Sequence, residues 1–162
     1  MYYTYMDSPV GRLLLAGDAD ALRLIGFSSG SMARGADATW ERRDAHFRGA
    51  VRQLTEYFAG RRRAFDLPLD LQVSEFQGRV LAALQAIPYG ETRSYRDVAV
   101  SIGSPQAVRA VGGANASNPL PIVIPCHRVI GSGGGLTGFG GGMDAKRYLL
   151  DLERRHSGLF GS

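Results

Sequence analysis

The sequence predicts an α+β fold, in which a small strand meander with one helix precedes a mainly helical unit built on a helix-turn-helix. Three observations predict it. Short β-favouring runs alternate with turn residues as far as Phe27. Apolar residues then recur at helical spacing between Trp40 and Phe58. Finally, two short helical segments meet at Gly103, each opened by a serine.

In the first part, Tyr2 to Met6 reads as a strand, Ser8-Pro9-Val10-Gly11 as a turn and Arg12 to Ala16 as an apolar strand. Gly17-Asp18-Ala19-Asp20 turns the chain and Ala21 to Phe27 returns as a third strand, with Ser28 to Thr39 a polar loop. A helix is predicted from Trp40 to Phe58 with Phe47, Val51, Leu54 and Phe58 on its apolar face, ending at Gly60. Arg61-Arg62-Arg63 reads as a solvated turn, and Phe65 to Leu71 as a short edge strand, because Pro68 cannot serve a central one.

A second unit begins at Ser74, whose spacing to Gln77 fits a capping box, with Phe76, Val80, Leu81, Leu84 and Ile87 on the buried face. Ser94 caps a helix over Tyr95 to Ile102, and Ser104-Pro105 opens another to about Ala114. Two readings of this pair stand side by side: a DNA-binding helix-turn-helix, or an ordinary helical hairpin in a small core. Beyond it, Pro119 to Pro125 alternates apolar residues with prolines and leads into Cys126-His127-Arg128, read as an extended strand. Gly131 to Gly142 holds eight glycines. A last helix carries Met143, Tyr148, Leu149, Leu150 and Leu152, with Asp144 near its start and Arg154 and Arg155 near its end, as the helix dipole favours. The division falls into an N-terminal α/β domain over 1–71 and a C-terminal domain over 72–162.

Composition excludes several classes. The 162 residues suffice for a core without staples, and 44% hydrophobic with 21% charged residues is ordinary for a globular chain. One cysteine permits no internal disulfide and no cysteine-rich zinc site, while His46, His127 and His156 are too scattered for a metal cluster. No apolar run reaches the ~18 residues of a membrane span, and the N-terminus lacks the features of a signal peptide. A reduced, cytoplasmic setting is therefore expected. The net charge of +4 comes from 18 arginines and a single lysine, Lys146, against 15 acids, which allows an anionic partner without establishing one.

Cys126 is the candidate nucleophile, although an isolated Cys-His pair is more often a buried structural cysteine beside an unrelated histidine. An ordinary thiol is mostly protonated at neutral pH, and a neighbouring base would raise its thiolate fraction. On an extended strand His127 would point to the opposite face, so a water would have to carry the proton between them.

The run from Gly112 to Gly131, centred on Pro125-Cys126-His127-Arg128, resembles the active-site region of the O6-alkylguanine-DNA alkyltransferases. Phe76-Gln77, Ile87 to Tyr95, Arg109 to Gly112, Gly141-Gly142, Lys146, Leu149-Leu150 and Glu153 are similar to family segments in the same order. The resemblance implies a ribonuclease H-like N-terminal domain and a winged-helix-like C-terminal domain. It also implies single-turnover transfer of an alkyl group from O6 of guanine in double-stranded DNA, with O4 of thymine left open. By that resemblance Cys126 is the acceptor, His127 draws off its proton through a water, and Glu153 orients His127. Asn118 braces the turn before the active-site segment, and Tyr95 donates to the departing base. Ser94, Arg109, Ala110 and Gly112 contact DNA, with Arg109 filling the gap left by a flipped base. Val129, Phe139, Gly140, Gly141 and Lys146 form the base pocket.

Some members of that family bind zinc in the N-terminal domain, but with no cysteine there no metal is expected here; no cofactor is expected either, and the chain is expected to be a monomer able to cluster on DNA. Phe139 stands where others have tyrosine, Gly140 where some have serine, and Leu81 where tryptophan is common. A related group that lacks the reactive cysteine only binds lesions, which gives the alternative of a non-catalytic lesion sensor.

Overall fold

The computed structural model describes residues 1–30, 33–131, 139 and 141–157. Strands β1 (Tyr2–Met6), β2 (Leu13–Gly17) and β3 (Leu22–Gly26) form the antiparallel meander. The continuous apolar run of β2 is buried along its whole length because both sheet faces are covered. Leu13 and Leu15 enter the main core, while Leu14 and Ala16 pack with Tyr3, Tyr5 and Trp40 on the other side.

The helix predicted from Trp40 begins later. Residues Glu41–Arg42 form strand β4, parallel to β1, giving the sheet order β3-β2-β1-β4. The open edge of β1 captures this segment, with Glu41 N–H donating to Met1 O at 3.0 Å and Arg43 N–H to Tyr3 O at 2.9 Å. A 3-10 turn, Asp44–Phe47, then leads into helix α1 (Arg48–Phe58). Its buried face is Ala50, Gln53, Leu54 and Tyr57, so Val51 and Phe58 lie at the flank rather than the centre.

The segment Phe65 to Leu71 is not a strand. It makes one bridge, Leu22 to Leu69, and is also held by the Arg23–Asp70 ion pair at 3.5 Å and by Gln53, whose side-chain amide bonds both the N–H and the C=O of Asp66 at 2.9 Å. In the Arg61-Arg62-Arg63 run, Arg62 pairs with Glu56 at 2.9 Å and Arg63 donates to His156 O at 2.5 Å, so the turn is tied to the last helix rather than merely solvated.

Helix α2 (Glu75–Gln85) is capped by Ser74 Oγ, which accepts the Gln77 N–H at 3.1 Å. Only half of the expected capping box forms, because the Gln77 side chain crosses to Ser117 O and Oγ at 3.2 and 3.1 Å. Helix α3 (Tyr95–Ser101) has the complete box, built by Ser94 and Asp97. Helix α4 spans Val108–Ala116; Ser104-Pro105 makes a turn closed by Ala107 N–H to Ser104 O at 2.9 Å instead of the first helical turn. Strand β5 (Arg93–Ser94) pairs in parallel with β6 (Val129–Ile130), and helix α5 (Met143–His156) closes the described chain. Among the described residues no helix is long and apolar enough to cross a membrane. One hydrophobic core runs from β2 and α1 into α2, α4 and α5.

Between α4 and the cysteine the chain makes a tight detour in which Ile122, 1% exposed, has φ +74°. A β-branched residue in the left-handed region is strained, and burial of its side chain holds it there. Ile122→Gly is expected to be more stable than Ile122→Ala by about 1 kcal/mol, the reverse of the usual order. Both variants should lie about 2–5 kcal/mol below the parent in urea denaturation, and an alanine variant as stable as the glycine one would contradict this account of the turn.

Candidate active site

Three prolines, at 119, 121 and 125, deny this stretch a continuous ladder of donors, and a side chain takes over. Asn118 Nδ2 donates to Ile124 O at 2.8 Å, and Asn118 Oδ1 accepts the Leu120 N–H at 3.0 Å. The Cys126 N–H donates to Ile124 O at 2.8 Å. Cys126–Arg128 is a 3-10 turn and not the extended strand read from sequence; strand geometry starts only at Val129. With three residues per turn, successive side chains diverge by about 120°, which sends Cys126, His127 and Arg128 to three different surroundings, all buried.

Beneath this turn lies Glu153 of α5, 1% exposed. Its Oε2 accepts from Tyr57 Oη at 2.6 Å, from His127 Nε2 at 2.6 Å and from Arg128 Nη2 at 3.0 Å. Its Oε1 accepts from Arg128 Nε at 2.8 Å and from the Gly90 N–H at 3.2 Å. Arg128 is itself clamped by Ile87 O at 2.8 Å. Burial alone would raise the Glu153 carboxyl, but the hydrogen bonds and charges of His127 and Arg128 prevail and hold it far below the usual carboxylate range.

Because Nε2 faces a carboxylate, it carries the ring hydrogen. Among the described residues the buried Nδ1 has no hydrogen-bond partner, and its lone pair can accept a proton. Burial lowers the pKa of His127, opposed by Glu153. Burial also pushes the Cys126 thiol up to about 11, against the opposing pull of Asn118 and Lys146. Lys146 is fully buried on α5, lowered by that burial to about 8, and donates to Val129 O at 2.6 Å. The resting site therefore holds a neutral thiol near a neutral base.

The structure gathers Cys126, His127, Asn118, Glu153, Lys146 and Val129 at this turn, and the β5–β6 pairing sets Tyr95, the first residue of α3, beside it. Phe139 is buried with its ring 5.3 Å from Phe27, and with Cys126 it lines a cavity of about 100 Å³ bounded by β3, Arg34 and Pro119. A Cβ on Gly141 would come within 2.9 Å of both phenyl rings, so no larger residue fits there. Gly140 lies outside the described residues. Ser94 is engaged as the α3 cap. Arg109 and Ala110 are exposed near the start of α4, and Gly112 brings α4 against the Tyr95 ring.

Two residues of the network have no role in the sequence alone: Arg128 enters only as part of a motif and Tyr57 not at all, although Ala50, Leu54 and Tyr57 follow the i, i+4, i+7 spacing of a buried helix face.

A family model described as 6-O-methylguanine DNA methyltransferase, ribonuclease-like domain, matches residues 1–71. Another, described as 6-O-methylguanine DNA methyltransferase, DNA binding domain, matches residues 75–155. A methylated-DNA--protein-cysteine methyltransferase of Mycolicibacterium paratuberculosis is 54% identical over 158 residues, covering 96% of this chain and 93% of the relative. One of Methanosarcina acetivorans is 48% identical over 153 residues, covering 94% and 98%. The crystal structure of Mycobacterium tuberculosis OGT in complex with DNA is similar with a TM-score of 0.90 at 48% identity, over 96% of this chain and 94% of that one.

The charge arrangement has a consequence for stability. Glu153 is depressed in the folded state, so its contribution is fully present above the unfolded carboxylate pKa, near 4.5, and is lost as pH falls below it. Glu153→Gln leaves Arg128 as an unpaired buried cation and should cost roughly 3–5 kcal/mol at pH 7. Urea midpoints from pH 3 to 7 should show a shallower acid decline for the variant than for the parent; equal declines would refute the assignment.

Proposed function

From the premise that the chain belongs to the 6-O-methylguanine DNA methyltransferase family, we propose that Cys126 is the acceptor in a direct, one-way reversal of DNA damage. The reaction moves an alkyl group from O6 of guanine in DNA to a protein cysteine, and this sequence has one cysteine. The observation that carries the assignment is the position of that cysteine. It is buried at the head of a turn whose next residue, His127, is anchored through Nε2 to Glu153 at 2.6 Å and keeps a free Nδ1.

The steps follow from the groups present. A thiol near 11 is inert at neutral pH, so a base is required. His127 Nδ1 takes the Cys126 proton through a water, and the buried Glu153 carboxylate stabilises the imidazolium. The Lys146 ammonium favours the thiolate that results. Sulfur then attacks the alkyl carbon; the S–C bond forms, the C–O6 bond breaks, and its electron pair stays on the guanine. Tyr95 supplies the proton that makes the departing base neutral. The thioether has no second thiol to resolve it, so each molecule acts once.

The target base lies within the duplex and must be turned out, at a cost of a few kcal/mol. Arg109, exposed on α4 beside the small Ala110, is suited to fill the vacated space from the minor groove, with Ser94, Ala110 and Gly112 along the same approach. Val129, Phe139 and Gly141 enclose the extruded base. The chain works as a monomer on double-stranded DNA containing O6-alkylguanine, with clustering along the duplex open to it, in a cytoplasmic setting that keeps the thiol reduced. A lesion sensor would have no use for a cysteine backed by this network.

Incubation with a duplex carrying O6-methylguanine, followed by peptide mapping, should place one methyl group per protein on Cys126. Transfer to another residue, or repeated turnover, would overturn the mechanism. Arg109→Ala should slow repair of the duplex by roughly tenfold or more while leaving reaction with free O6-benzylguanine within about twofold; equal losses on both substrates would remove the finger role.

A further inference from the structure

The proton acceptor of this site is touched from the N-terminal half of the chain. Tyr57 lies on α1, is fully buried, and is packed among Phe58, Phe65 and Tyr89 with ring centroids 5.5, 5.5 and 6.3 Å away. Its hydroxyl donates to Glu153 Oε2 at 2.6 Å, the same oxygen that accepts from His127 Nε2, and stands 3.4 Å from that nitrogen. We propose that Tyr57 is a positioning residue for alkyl transfer, whose hydroxyl shares Glu153 Oε2 with His127 and thereby keeps the imidazole in its neutral, Nε2-protonated form with Nδ1 free. The proposal rests on the reading of His127 as the proton acceptor.

A carboxylate offers about four lone-pair sites, and Glu153 accepts five hydrogen bonds. Each donor draws negative charge from the oxygens and leaves less of it for the others. If His127 were the sole donor to Oε2, the carboxylate would favour the imidazolium more strongly and the resting base would be protonated at higher pH. A protonated His127 cannot take the Cys126 proton. The hydroxyl of Tyr57 offsets that pull without adding charge.

The other groups facing His127 do not supply the same adjustment. Cys126 and Arg128 come from its own turn, and Lys146 comes from α5 with Glu153. Arg128 and Lys146 both oppose a charged imidazole, but each is fixed by other bonds, to Ile87 O and Val129 O respectively. Tyr89, from the loop before β5, packs against Tyr57 and under the Arg128 guanidinium, 5.6 Å from ring centre to Cζ.

The test uses the full chain with Tyr57→Phe. Single-turnover transfer from O6-benzylguanine to Cys126 is followed from pH 5.5 to 9.5 beside the parent. The acid limb of the variant should move up by about one pH unit, a loss of about tenfold at the acid end, with rates within about twofold at the alkaline end. An even loss at every pH, or no change, would overturn the proposal and leave Tyr57 a packing residue. Should Tyr57→Phe fold poorly, site-specific 3-fluorotyrosine keeps the shape and strengthens the donor, and the limb should move down; a limb that stays or rises would overturn the proposal.

Nitrogen NMR titration of the three histidines reads the same shift on His127 without any transfer. If the parent failed to alkylate Cys126 while His127 still shifted in the variant, the alkyl-transfer reading would fall and the Tyr57–His127 coupling would stand. A His127 resonance unmoved by the variant would instead refute the coupling itself.

Discussion

Withdrawing an ionised carboxylate from water costs several kcal/mol unless protein donors replace its hydration, and the fold around Glu153 supplies them from three places in the chain. Helix α1 brings Tyr57, the loop before β5 brings the Gly90 N–H, and the 3-10 turn brings His127 and Arg128 to a residue of α5. The placement of α1 against α5, the exit of the chain after α2, and the shape of the cysteine turn are all constrained by the need to satisfy this one group. The residue after the cysteine is fixed by the same carboxylate, since His127 Nε2 is occupied by Glu153 Oε2.

The turn itself shows a second economy. Asn118 supplies one donor and one acceptor where prolines have removed backbone donors, and the strained Ile122 is the counterpart of that tight path. A regular strand would have sent Cys126 and His127 to opposite faces. The 3-10 turn separates three consecutive side chains into three roles, with sulfur toward the cavity, imidazole toward Glu153, and guanidinium across both Glu153 and Ile87 O.

Much of this was legible from the residues. The meander followed from runs such as Leu13-Leu14-Leu15 between glycine turns, and the α3 cap from Ser94 ahead of a helical run, since local hydrogen bonding decides both. Pairing with a distant edge decided what was misread. Glu41–Arg42 joined β1 against its helical spacing, and Gln77 left its own cap for Ser117, because sequence periodicity carries no information about which remote backbone stands open. The cysteine, histidine and asparagine of the site could be found by motif. Tyr57 could not, since it reaches Glu153 across 96 positions of the chain and sits within an ordinary amphipathic helix.

The single core that runs through both matched regions bears on modularity. Two separate family models cover residues 1–71 and 75–155, as though two parts had been joined, yet Tyr57 of the first completes the coordination of a carboxylate in the second. An exchange of N-terminal halves between relatives would have to carry over a hydroxyl at the same depth as well as a matching apolar face. Without it, the graft would leave a buried acceptor short of a partner beneath the cysteine turn. The two parts thus share one carboxylate oxygen of Glu153 as well as a common core and the Arg63 bond to His156 O.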